Sequence, residues 1–315
     1  MNYFVRRIAY LILIVVAVTL GVSVMLDLLP GDPAFTLIGE DATADQVARV
    51  RADLRLDDPV WERWIGWVGD ALRGDLGVSY RTGRAVVEEI GDRIWVTVEL
   101  VVLAQLAALV FAIGTSLVAA VRPQGLVDRV TRNISFLMLS TPSFVLALVL
   151  VLVFASTLTW FPIVGYFPPG DGLAAHLRSI ALPVIAMSAD PAGVYQRVLR
   201  SDLARTMSED FVMMAWSKGL ASWRVMLVHA LRPSLFSLVT VAGITTARLI
   251  GGSVVIETIF GLPGVGRLLV DAISSRDLVV VQGIVAIVGL AYVLINSAVD
   301  ISYGLLNPKV RRAPR

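Results

Sequence analysis

The sequence predicts an all-α integral membrane protein with six transmembrane helices and both termini cytoplasmic. Three observations carry that expectation. The 315 residues are 57% hydrophobic and only 17% charged, less charge than a soluble domain of this size carries. Six apolar stretches reach spanning length, and basic residues gather in alternate connections between them. The mean hydropathy of +0.77 agrees.

A hydrocarbon layer about 30 Å thick requires about 20 apolar helical residues. The stretches run from Ile8 to Leu29, Val96 to Val121, Ile134 to Phe161, Ile180 to Val198, Ser234 to Ile259 and Val279 to Leu306. The first differs from a signal peptide, whose apolar core is about 7–15 residues long. It is longer, and it ends in Leu29-Pro30-Gly31-Asp32-Pro33 without a small-residue cleavage site, so a retained helix is expected. The fourth carries Pro183 and Pro191, and a break is expected near Asp190. Membrane helices tolerate proline where neighbours satisfy the freed carbonyls.

Orientation follows from arginine and lysine in short loops. One side holds Arg6 and Arg7; Arg122, Arg129 and Arg132; Arg197, Arg200, Arg205, Lys218, Arg224 and Arg232; and Lys309, Arg311, Arg312 and Arg315. The opposite side has Arg178, Arg267 and Arg276 in its short loops. Residues 31–95 fall outside, with eight arginines and thirteen acidic residues, and a segment of that length translocates largely regardless of charge. They read as an extracytoplasmic helical insertion in a single transmembrane domain covering 1–315. Thr43 with Gln46 forms a capping box for a helix through about Leu54. Pro59 opens a second helix that carries Trp61, Trp64 and Trp67 and stops at Gly74. The tryptophan stripe reads as packing or membrane interface before ligand binding.

Composition also excludes several chemistries. There is no cysteine, hence no disulfide, thiolate metal site or cysteine nucleophile. His176 and His229 lie far apart without ligand-like neighbours, and no metal site is expected. The two lysines, Lys218 and Lys309, follow Ser217 and Pro308, so no phosphate-cradling Gly-Lys-Ser/Thr loop exists. A formal charge of +2 gives no sign of a nucleic-acid partner.

The cytoplasmic loop at residues 200–232 is basic yet patterned like structure. Ser208 is expected to cap a short helix, with Glu209 and Asp210 at its positive end. Phe211, Met214 and Ala215 share a face, Lys218 lies in the last turn, and Gly219 supplies a left-handed stop. Ser222 is expected to cap the next helix, and Pro233 suits the first turn of the fifth span. Two readings stand on pattern alone: a docking knob for a partner's groove, or an interfacial helix on headgroups.

The run from Glu209 through Leu220, followed by His229-Ala230-Leu231-Arg232-Pro233, resembles the EAA loop of ABC-importer permeases. The closer likeness is to the first-permease branch, DppB/OppB-like, of the dipeptide/oligopeptide/nickel importers. Met213-Met214-Ala215 stands where the general motif has Glu-Ala-Ala, and the spacing to Gly219 is kept. Further likenesses are Leu29 to Pro33, Ser140-Thr141-Pro142-Ser143-Phe144, Phe161-Pro162-Ile163-Val164-Gly165, Glu257 through Leu268, and Asn307-Pro308-Lys309-Val310-Arg311.

The resemblance implies a type I importer permease in a bacterial cytoplasmic membrane, translocating short peptides beside a second, homologous permease. It also implies two ABC ATPase domains, which bind ATP and Mg in separate subunits, and an extracytoplasmic substrate-binding protein. No cofactor is implied in this chain, which would be a pore-forming subunit and not itself an enzyme. The ATPase-coupling residues would be Glu209, Asp210, Phe211, Ala215, Lys218 and Gly219.

A charge at mid-membrane costs at least about 2.5–3.5 kcal/mol, so it should face protein or water. Arg248, Asp190 and Asn296 are therefore translocation-path candidates. Arg248 has the alternative of pairing with Asp190 or Glu257, and Asp190 that of a helix-end cap. Asn296 and Asp300 share one face, with Asp300 near the cytoplasmic interface. Gly251-Gly252 reads as close helix packing, with a gating hinge as the alternative. Gly261, Pro263, Gly264 and Gly266 form a re-entrant or surface turn, which the family comparison places at an outer gate.

Three rival functions make different demands on the sequence. An intramembrane serine protease needs serine and histidine together at membrane depth, and both histidines fall in loops. A receptor without transport and a self-sufficient secondary transporter are separated from an importer by ATP-dependent uptake.

Overall fold

The protein is described by a computed structural model covering residues 3–28, 43–53, 55–121 and 124–306. The motifs Leu29 to Pro33 and Asn307 to Arg311, Arg122, and the side chains of Arg6, Arg7 and Asp300 lie outside the described residues. Among those described, regular structure is helical, with one isolated bridge between Val78 and Ala85. In chain order the helices are α1 (Tyr3–Leu28), α2 (Ala44–Asp53), α3 (Val60–Ala71), α4 (Val86–Val121), α5 (Leu126–Ser140) and α6 (Ser143–Leu150). There follow α7 (Leu173–Thr206), α8 (Asp210–Ser217), α9 (Ser222–Arg224), α10 (Leu231–Phe260), α11 (Val265–Ser274) and α12 (Leu278–Leu306). Wider π-helical turns extend α6 over Val151–Thr157 and join α9 to α10 over Val225–Ala230.

Among the described residues, three helical segments are long and apolar enough to cross a membrane: Val86–Ala120, Ser222–Phe260 and Leu278–Val299. A fourth results if α5 and α6 form one broken span, and Leu13–Met25 of α1 is a shorter apolar stretch. The third sequence stretch is therefore not one straight helix. It bends by 104° between Ser140 and Ser143. Pro142 causes this, because its ring disfavours helical geometry in the residue before it. Thr141 is accordingly extended, at φ −100° and ψ 115°.

The chain divides into two compact units, Met1–Thr97 with Pro263–Leu294 and Val98–Leu262 with Ile295–Arg315. In the first, the capping box forms as expected. Thr43 N donates to Gln46 Oε1 at 2.9 Å and Gln46 N to Thr43 Oγ1 at 3.4 Å. The tryptophan stripe is divided among three surroundings. Trp61 is exposed, Trp64 Nε1 donates to Thr19 Oγ1 at 3.1 Å, and Trp67 packs on the core around Ile90, Leu268 and Ile284. Gly74 does adopt a left-handed φ, +91°. Asp277 caps α12, accepting from Val280 N at 3.4 Å and from Ser79 Oγ at 2.6 Å.

α7 runs through the core of the second unit. Its buried Ala192, Tyr195, Leu199 and Leu203 meet Ala108 and Ala112 of α4 and Leu238 and Ala242 of α10. This explains the weak apolar signal of the fourth stretch: small and polar residues facing protein replace lipid-facing ones. A Cβ on Gly193 would lie 2.8 Å from Ser135 O and Leu139 Cγ, so the α7 backbone approaches both the backbone and a side chain of α5 there. The break expected near Asp190 does not form. α7 is continuous over 34 residues with Pro183 and Pro191 inside it. Both prolines are buried among neighbouring helices, an enclosure that tolerates the lost hydrogen bond.

Candidate coupling segment and translocation-path residues

Between α7 and α10 the chain folds into a short, firmly seated hairpin of helices. The expected serine caps are absent. Ser208 Oγ turns back to Arg205 O at 2.8 Å, leaving extended Glu209 as the residue before α8. Ser222 is itself the first residue of α9, preceded by Ala221. Glu209 and Asp210 nonetheless stand at the N-terminal end of α8, where acidic side chains complement the helix dipole. Lys218 follows its last turn, and Gly219 takes φ +76°. A side chain at that φ costs about 1–2 kcal/mol.

The helix has two faces, divided differently from the expected Phe211–Met214–Ala215 stripe. Val212 and Ala215 are buried with Val225, backed by Met207 and Leu220. Phe211, Met213, Met214 and Trp216 are 45–59% exposed. Ala215 thus anchors the segment, while the bulky side chains project outward. Beside them a cavity of about 670 Å³ is bordered by Asp128, Arg200, Met207, Trp216, Trp223 and Met226. Arg200 ties α7 to α5: its Nη2 donates to Asp128 Oδ2 at 2.8 Å, and its Nε donates to Oδ1. The Asp128 side chain is 2% exposed.

Of the path candidates, Arg248 is exposed on α10 and among the described residues forms no ion pair with Asp190 or Glu257. Asp190 lies in mid-helix and half-buried, so it caps no helix end. Asn296 is half-buried on α12. A Cβ on Gly251 or Gly252 meets nothing within 4 Å, so the close packing expected there does not occur among the described residues. Close approach occurs instead at Gly193 and at Gly243, whose Cβ would collide with Val299. Gly261 ends α10 with φ +64°, and Leu262 N donates to Glu257 O at 2.9 Å. Gly264 precedes α11, and Val265 N donates to Thr97 Oγ1 at 2.9 Å.

Comparison with known proteins decides the family. Residues 112–312 match the model of the binding-protein-dependent transport system inner membrane component, and residues 1–101 match that family's N-terminal membrane component. The chain belongs to this family of transport permeases. A Brucella abortus (strain 2308) protein named for a peptide transport system permease is 39% identical over 306 residues, covering 97% of this chain and 98% of that one. The Escherichia coli K12 glutathione transport system permease GsiC is 34% identical over 311 residues, or 99% of each chain. A crystal structure of an amino acid ABC transporter with histidines shares the fold at a TM-score of 0.52 and 13% identity. It covers 69% of this chain and 93% of that one.

Two polar features of this permease escape a sequence reading. Glu99 of α4 joins Tyr166 and His176. Tyr166 Oη donates to Glu99 Oε2 at 2.8 Å, and His176 Nε2 lies 2.7 Å from Glu99 Oε1. His176 Nδ1 lies 2.8 Å from Phe167 O, so it carries the hydrogen. Burial, and then the Glu99 carboxylate, push the Tyr166 phenol up to about 12. A carboxylate inside the apolar stretch from Val96 was the available signal, since such a group needs a partner. The second is Gln196 of α7, fully buried, whose Nε2 and Oε1 have no hydrogen-bond partner. Each unmet group costs about 1–3 kcal/mol, and nothing local in the sequence announces it.

Proposed function

We propose that this chain forms one half of the pore of an ATP-driven importer of short peptides in the bacterial cytoplasmic membrane. Six spans and cytoplasmic termini accord with the distribution of basic residues. A second, homologous permease completes the pore, and an extracytoplasmic binding protein delivers cargo. Two ATPase subunits bind ATP and Mg, so hydrolysis lies outside this chain. Relatives named for peptide and glutathione transport support peptide-like cargo.

The observation that carries this reading is the divided face of α8. An outward row of Phe211, Met213 and Met214 stands on a buried Val212–Ala215–Val225 footing. A partner groove is the natural cover for such a row, and the footing transmits force. Glu209, Asp210 and Lys218 orient the helix ends, and Gly219 permits the tight exit. Closure of the ATPase pair pushes α8 as a rigid body and tilts α7 and α10, alternating access to the pore. Arg248, Asp190 and Asn296 line that path, with Arg248 meeting substrate carboxylates. Gly261, Pro263, Gly264 and Gly266 border the outer gate.

The test is reconstitution of the whole complex in vesicles with a labelled dipeptide. The proposal expects uptake that needs both ATP and the binding protein. Uptake by this chain alone, driven by an ion gradient, would replace it with a secondary transporter.

A further inference from the structure

A cavity of about 480 Å³ lies within the first unit, between α11 and the stretch from Ser79 into α4. Its floor holds two deeply set carboxylates, Glu89 of α4 and Asp277 before α12, each 3% exposed. Neutral donors alone meet them. Thr82 Oγ1 donates to Glu89 Oε1, Ser79 Oγ to Asp277 Oδ2 at 2.6 Å, and Val280 N to Asp277 Oδ1 at 3.4 Å. Thr82 N in turn donates to Ser79 Oγ at 3.1 Å, which ties the two halves of the floor into one network. No arginine or lysine pairs with either carboxylate among the described residues.

Buried charges are ordinarily paired with an opposite charge, so this floor lacks a cation. Glu89 shows where one would enter. A carboxylate has about four acceptor positions, and Glu89 uses one, on Oε1. Its Oε2 has no hydrogen-bond partner among the described residues, yet it is not one of the unpartnered polar atoms that protein encloses. It therefore opens on the cavity that Glu89 borders. The rim carries the opposite sign. Arg81 is exposed and Arg93 half-buried, and neither forms an ion pair among the described residues. A bare metal ion would find too few ligands, since no three acidic or histidine side chains gather into a metal site among the described residues. A long basic side chain flanked by an acidic one satisfies both floor and rim, and the two-sign pattern rejects partners that carry only one.

We infer that this cavity is a docking socket for the extracytoplasmic substrate-binding protein, whose lysine or arginine side chain reaches Glu89 while a neighbouring acidic side chain meets Arg81 and Arg93. The inference rests on the importer reading and deepens it by naming the contact. With the basic loops cytoplasmic, residues 31–95 and the connection carrying α11 face the side from which the binding protein arrives. α11 begins at Val265, between the proposed gate residues Gly264 and Gly266.

The experiment measures the affinity of the transporter's own binding protein, loaded with a dipeptide, for the complete transporter in lipid nanodiscs. Glu89→Gln keeps the shape and the Thr82 hydrogen bond and removes the charge. It is expected to weaken binding on the order of tenfold, the loss of a charged hydrogen bond, without lowering the thermal stability of the unbound transporter. Alanine substitution of each surface lysine and arginine of the binding protein should find one whose own effect vanishes against Glu89→Gln, the signature of direct contact. Ser274 is exposed at the rim, and the native chain has no cysteine, so a bulky maleimide on Ser274→Cys should weaken binding by a similar factor. That variant keeps the inference testable if Glu89→Gln fails to assemble. Wild-type affinity in both would overturn the socket and leave Glu89 a protonated acid within the fold. Unchanged affinity with a lost preference for a free over an N-acetylated dipeptide in uptake would overturn it in favour of a cargo ammonium site. Absence of ATP-driven dipeptide uptake in the wild type would instead sink the importer reading itself.

Discussion

Glu99→Leu and Glu99→Gln should behave very differently, and the difference follows from one hydrogen position. His176 Nδ1 faces the Phe167 carbonyl at 2.8 Å, so it must donate, leaving Nε2 to meet Glu99. Leucine removes the partner of both His176 Nε2 and Tyr166 Oη. Each buried group left without a partner costs about 1–3 kcal/mol, so the gross loss is about 2–6 kcal/mol. The Glu99 side chain is 28% exposed against 5% for His176. Water replaces part of the loss on the Tyr166 side, and about 3 kcal/mol is expected. Glutamine, in contrast, can donate its amide N–H to Nε2 and accept from Tyr166 Oη, so both partners keep a hydrogen bond. Thermal unfolding of the purified permease should show Glu99→Leu lowered by roughly 6 °C or more, and Glu99→Gln close to wild type. Hydrogen exchange over residues 162–179 should rise in the leucine variant only. Equal destabilisation by both substitutions would show that an amide cannot replace the carboxyl group between His176 and Tyr166; no change in either would refute a structural role for the network.

Other perturbations follow from the same geometry. Gly219→Val should cost about 1–2 kcal/mol locally and weaken co-purification of the ATPase subunits while membrane insertion is retained; unchanged co-purification would contradict the role of its φ of +76°. Gly193→Val should lower the melting temperature through a clash with the Ser135 carbonyl, with about 1–3 kcal/mol lost to overpacking. Arg248→Ala should reduce uptake more than assembly, and wild-type uptake would remove Arg248 from the path. Glu209→Lys combined with Lys218→Glu should loosen the ATPase without loss of insertion, measured by pull-down from solubilised membranes.

The legible parts of the fold were those set by neighbouring residues. The Thr43–Gln46 box and the left-handed stops at Gly74 and Gly219 need only local chemistry, and they stand where the sequence placed them. The apolar stretches were visible, but their ends were not. α4 begins at Val86, ten residues before the apolar run, because Glu88 and Glu89 suit a helix start as well as a loop. Tertiary packing decided the rest. The burial of α7 kept Asp190–Pro191 helical, and the bulk of Val299 made Gly243 a contact glycine in place of Gly251. Between Asp210 and Ser217 a short helix was legible, whereas its facing was not, since Val212 and Phe211 are equally apolar and only Val225 and Met207 select which turns inward. Gln196 and Glu99 were hidden because their meaning lies in partners, or the lack of them, across the unit.

The native chain contains no cysteine, so a single introduced thiol reports one contact cleanly. In the complete transporter, Met214→Cys paired with a cysteine in the ATPase groove should crosslink under oxidation and stop ATP-driven uptake, and a reductant should restore both. Failure of Met214→Cys to reach any ATPase position, together with its quenching by a lipid-borne probe, would show α8 lying on the membrane and contradict the coupling role.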